Sequence, residues 1–152
     1  MGVVSMVVFP FPIVDPYPDF KPSINLIPFD SRFCDPRILP LCIRNLYENI
    51  LLTIPFGFGI NFIARIKSKN IFWLAIAVGF TFEFIQLIIS LIIRNSFRVV
   101  DINDAMLNAT GVLLGYVFFL AFGRLYIFVI DKFDIQHKFV FAYVYDVVNQ
   151  SR

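Results

Sequence analysis

GFTFEFIQLIISLIIRNSFRVVDINDAMLNATGVLLG, residues 79–115, joins two apolar runs through a short charged loop. The first run, Ile71 to Ile93, carries Glu83 and Gln86 near its middle, and the second opens at Asp101 and carries Asn108. As a helix the first run would reach about 35 Å, against a bilayer hydrocarbon core of ~30 Å. A charged residue at mid-bilayer costs about 3 kcal/mol on insertion scales, so Glu83 is read first as a functional residue. The fold class that follows is an all-α membrane protein. It is a small helical bundle of three full transmembrane helices plus a truncated first one.

Spacing sorts the polar residues onto faces. Ala75, Gly79, Glu83, Gln86 and Ser90 fall on one helical face, which predicts that Glu83 points into the bundle. Asp101 with Asp104 resembles a capping box at the start of the third span, and both charges suit the positive end of the helix dipole. Asp104, Asn108, Gly111 and Gly115 share a face, and Gly111-Val-Leu-Leu-Gly115 is a GxxxG motif through which a second copy could pack. The third span is predicted to end near Phe122, with Gly123 just past it and Arg124 snorkelling to the interface. The first complete span, Leu46 to Ala64, carries Asn45, Asn49, Thr53 and Gly57 every fourth residue, and Pro55 predicts a kink or break.

The remainder divides into a segment 1–14, a Pro-rich loop 15–45, the membrane core 46–122 and an aromatic tail 123–152. MGVVSMVVFPFPIV is apolar but too short to span, and is expected to be the end of a first transmembrane helix, with an interfacial segment as the alternative. The tail is read as interfacial or partner-facing, with LYIFVI able to extend the last helix. Hydrophobic residues make up 59% of the chain, charged ones 16%, and the mean hydropathy is +0.77. Soluble domains average about a quarter charged residues, so the deficit argues for lipid as solvent. A net charge of +2 from scattered basic residues is no nucleic-acid footprint. One His and two Cys outline no metal site, and no cofactor is expected. Cys34 and Cys42 are read as two thiols, with a disulfide as the alternative if their loop faces an oxidising side.

Antiparallel threading places Asn49, Gln86 and Asn108 ~5–10 Å below one surface and Glu83 ~15 Å below it. The Pro-rich loop and the Arg98 loop would lie on that surface, making a polar cup open to one side. The tight Arg65, Lys67, Lys69 turn at the other end, set against Arg32, Arg37, Arg44, Arg94 and Arg98 mixed with acids in longer loops on the cup side, favours the cytoplasm, and the cup is expected outside.

Several strings here resemble the VanZ-like family. They are NLIPF from Asn25, the run from Asn49 to Phe58, the surroundings of Glu83 and Gln86, and R-V-x-D-I-x-D-x-x-x-N-x-x-G-x-x-x-G from Arg98 to Gly115. The likeness covers about residues 7–122. It implies a multi-pass protein of the cell membrane tied to the envelope, with teicoplanin resistance in Gram-positive bacteria as the origin of the family name. The positions carried over are Asn25, Pro28, Asn49, Pro55, Gly57, Glu83, Gln86, Arg98, Asp101, Asp104, Asn108 and Gly111. The expected activity is binding or shielding of an envelope lipid or glycopeptide-like ligand by Asn25, Asn49, Glu83, Gln86, Arg98, Asp101, Asp104 and Asn108. Arg98 would grip an anionic head group. The alternative is a membrane-embedded enzyme acting on a lipid-linked substrate, with Glu83 and Asp101 or Asp104 as acid and base. No nucleophile with a recognisable base accompanies them. A purely architectural reading pairs Arg98 with Asp101 or Asp104 at the helix cap and has Glu83 held by Gln86 and Asn49 as a packing contact.

Overall fold

The structure, a computed structural model, describes residues 21–29, 39–94, 99–133 and 139–150. Three helices in it are long and apolar enough to cross a membrane: α1 (Leu39–Ala64), α2 (Ser68–Ile93) and α3 (Ile102–Lys132). A short fourth helix, α4 (Val140–Gln150), and two two-residue strands, β1 (Ile24–Asn25) and β2 (Val100–Asp101), complete the fold. The protein is a small all-α membrane fold, as the apolar runs predict. Residues 1–14 and Arg98 lie outside the described residues.

α1 begins inside the expected Pro-rich loop, with Pro40 in its first turn, where a missing N–H costs nothing. Pro55 does not break it. The helix is continuous from Leu39 to Ala64 with Pro55 inside. α1 and α2 end in the same way, on Arg65 and Arg94 in the left-handed region at φ 48 and φ 52. In each case the arginine N–H donates to the carbonyl four residues back, that of Asn61 or Ser90.

α3 is the central helix, packed on α1 along one side and α2 along the other. Its approach to α1 is backbone to backbone. A Cβ at Gly111 would overlap the Ile50 carbonyl and Thr53 Oγ1, and one at Gly115 the Ile54 carbonyl. Gly57 meets the Val112 carbonyl in the same way. The GxxxG face, expected to receive a second copy, is thus filled by α1 of the same chain. Small residues do this in lipid because close backbone approach and dispersion replace the hydrophobic effect as the driving force.

The end of α3 departs from expectation. The helix runs through Gly123 to Lys132, and Gly123 is no terminator. Its missing side chain makes room for Val148 of α4, whose Cγ1 would lie 2.6 Å from a Cβ there. α4 folds back on the bundle, with Val147 and Val148 buried. Tyr126 donates its OH to the Phe141 carbonyl at 2.9 Å, and Tyr143 donates to the carbonyl of Phe62. The apolar core lies at this end: Ile71, Ala75, Val112, Tyr116, Phe119, Val147 and Val148. Phe58 and Phe62 add edge-on contacts to Phe119 and Phe122, the ring geometry that aromatic quadrupoles favour.

Candidate functional site

At the opposite end the polar residues converge on the start of α3. Asp101 is its N-cap, with Oδ1 accepting from the Asn103 N–H and from Asn103 Nδ2, both at 2.8 Å. The reciprocal half of the expected capping box is made differently. The Asp101 N–H donates to Glu83 Oε2 of α2 at 2.9 Å, so Glu83 takes the place expected of Asp104. Asp104 turns to α1 instead, where Oδ1 accepts from Asn45 Nδ2 at 2.8 Å. One cap therefore ties all three helices.

The NLIPF string docks on the same cap. β1 pairs in parallel with β2, which sets Asn25 opposite Asp101. Asn25 Nδ2 donates to Asp101 Oδ2 at 3.1 Å, while its Oδ1 accepts the Ile27 N–H at 3.2 Å. Two residues further on, the Phe29 N–H donates to Asn103 Oδ1 at 2.9 Å. The Asn25–Ile27 bond is local and of the kind that holds a turn without help from helix or sheet.

These contacts also correct the expected depths. Gly79 lies against the Ala105 carbonyl and Glu83 against Asp101, so α2 continues for about 16 Å past the start of α3. Glu83 is level with the cap rather than below it. Asn49 and Asn108 do share a level, since Thr53 Oγ1 donates to the Asn108 carbonyl at 2.7 Å. Gln86 stands about 15 Å nearer the end of α2 than that pair.

A cavity of about 320 Å³ opens here, lined by Ser23, Ile24, Asn25, Cys42, Asn45, Leu46, Val99, Asp101 and Asp104. Of the expected ligand-binding residues, Asn25, Asp101 and Asp104 line it. Asn49, Glu83, Gln86 and Asn108 are buried in the helix interfaces and do not. Asn49 Nδ2, Gln86 Oε1, Ser90 Oγ and Asn108 Oδ1 are buried and make no hydrogen bond among the described residues. Sequence reasoning passed over Asn103, which is 1% exposed and joins the NLIPF turn to the cap. It also left Asn45 as part of a packing stripe, although it lines the cavity and holds Asp104. Cys42, at the cavity wall, is disulfide-bonded rather than a thiol. The chain's one other cysteine, Cys34, lies outside the described residues. No group of metal-ligating side chains occurs among the described residues.

Chemically the lining offers two carboxylates and two amides beside apolar Ile24, Leu46 and Val99. The three long apolar helices and this polar cavity define the class, a polytopic helical membrane protein with an acidic cup at one end of the bundle. The particular family follows from comparison: a family model described as VanZ/LLP1 matches residues 1–125, and the chain belongs to that family. No curated protein and no solved structure matches it.

Proposed function

We propose that this protein sits in the cell membrane and binds or shields an envelope lipid or glycopeptide-like ligand in the cup, contributing to glycopeptide tolerance of the teicoplanin type. The observation that carries this reading is the cavity itself, where Asp101, Asp104, Asn25 and Asn45 converge beside an apolar wall. Acceptor-rich linings suit ligands with hydroxyl and amine donors, as in lipid-linked sugars and glycopeptides. Charge-assisted bonds to Asp104 would supply most of the discrimination. The test is native mass spectrometry of the detergent-extracted protein. The parent is expected to retain an envelope lipid or lipid-linked glycan, and Asp104→Ala to lose it at matched stability. Equal retention by the two proteins would remove the cup from the function.

A further inference from the structure

The opposite end of the bundle holds a second cavity, of about 560 Å³, that the cup does not use. It is lined by Ser68 at the start of α2, Leu120 and Arg124 of α3, and Val148 of α4. α4 is held there by the Val148–Gly123 fit and by Arg65 Nη1, which donates to Gln150 Oε1 at 2.6 Å. Ser68 Oγ and Tyr116 OH share a hydrogen bond of 2.7 Å at the inner side. The lining is therefore half apolar and half polar, and its one charge is the exposed Arg124 guanidinium. Lys67 and Lys69 flank Ser68 and are exposed as well. The acid nearest in the chain is Asp146, exposed on α4.

Two observations give this end a side. Cys42 opens α1 in a disulfide, about 33 Å along the helix from Ala64, and disulfides persist on the oxidising side of a membrane. Arg65, Lys67 and Lys69 crowd the tight turn between α1 and α2 at the other end, as in cytoplasmic loops. The cytoplasmic leaflet presents anionic phospholipids, and basic pockets between helices at that level hold their head groups.

We propose that this second cavity is a head-group site for an anionic phospholipid. Arg124 donates to the phosphate oxygens, Lys67 and Lys69 add attraction from beside it, and Leu120 and Val148 cover the glycerol and the first methylenes. An arginine suits the task because its fork meets two phosphate oxygens at once. α4 closes one side of the site, so the lipid would also fix α4 to the bundle. The proposal is independent of what the cup binds.

The test uses the full chain in a neutral maltoside detergent, titrated with dioctanoyl phosphatidylglycerol, dioctanoyl phosphatidylcholine or inorganic phosphate. The thermal unfolding midpoint is the readout. Phosphatidylglycerol should raise the midpoint saturably, and the other two should not. Arg124→Gln should weaken its apparent affinity roughly five- to tenfold, the loss expected for one basic contact to a phosphate. Leu120→Trp narrows the cavity with every charge in place and should weaken it too, so the test stands even if the arginine variant fails to accumulate. Arg44→Gln, at the cup end, should behave as the parent. An equal response to phosphatidylcholine overturns the proposal, as does parental affinity in the cavity variants. A full response to inorganic phosphate would assign the site to a soluble anion and overturn the lipid reading.

Discussion

Glu83 and Asn61 show two fates for a polar side chain inside a membrane helix. Glu83 is 5% exposed, and its Oε2 takes the N–H of Asp101, the group a helix start would otherwise leave unsatisfied. Glutamine keeps an acceptor oxygen at that position, so Glu83→Gln should unfold in mixed detergent at close to the parental midpoint. Glu83→Leu strips the acceptor from a backbone donor and should cost about 1–3 kcal/mol in the same titration. Equal stability of the two variants would show that the cap does not depend on this side chain. Asn61 is the opposite case. It is 0% exposed, and neither Nδ2 nor Oδ1 has a hydrogen-bond partner among the described residues. Valine is nearer to it in size than leucine and brings no desolvation penalty, so Asn61→Val should be neutral or stabilising by about 1 kcal/mol. A loss of stability instead would mean that the amide is satisfied by water or a ligand.

At the level of the helices, backbone contact decides which glycines matter. Gly115 has the Ile54 carbonyl where a side chain would go, whereas nothing lies within 4 Å of a Cβ placed on Gly59. Gly115→Leu should therefore cost about 3 kcal/mol or more by forcing α1 from α3. Gly59→Ala should gain about 0.5–1 kcal/mol through helix propensity alone. Mild effects of both changes would mean that α1 and α3 are not in close contact. The helices themselves were legible in the sequence, because length and apolarity define a span without knowledge of its neighbours. The inward faces were legible too: Glu83, Gln86 and Ser90 are all buried, as their spacing predicts. The stripe Asn45, Asn49, Thr53, Gly57 even continues to Asn61, one repeat beyond the residues singled out. Register between helices was not legible. Periodicity fixes which side of α2 faces inward, but the opposition of Glu83 to Asp101 is set by the Gly79–Ala105 approach. The docking of Asn25 and Phe29 on a cap more than seventy residues away has no local signature at all. Gly123 misled for a related reason, since a glycine that terminates a helix and one that admits a valine look alike in one dimension.

The molecule as a whole has a polar end at the cup and an aromatic end with a tight basic turn, and its orientation links the two proposed sites. The disulfide at Cys42 belongs to the cup end, and Lys67 with Lys69 to the other. Tightly clustered positive residues resist translocation, while disulfides form in oxidising compartments, so both features predict that the cup lies outside. Either one alone would be a weak guide, but they are physically independent and agree. In a background with both native cysteines changed to alanine, a single cysteine at Ser23 should react with a membrane-impermeant thiol reagent in intact cells. One at Lys67 should react only after permeabilisation. With the native cysteines restored, a thiol-specific mass tag applied to denatured, unreduced protein should add nothing, and after reduction it should label both. Labelling of Lys67→Cys but not Ser23→Cys in intact cells would invert the molecule. The cup would then open to the cytoplasm, and the proposed anionic-lipid cavity to the outer leaflet. The mass-tag result separates the two supports, because a chain with free thiols and an outward cup would leave the basic turn as the only determinant of orientation.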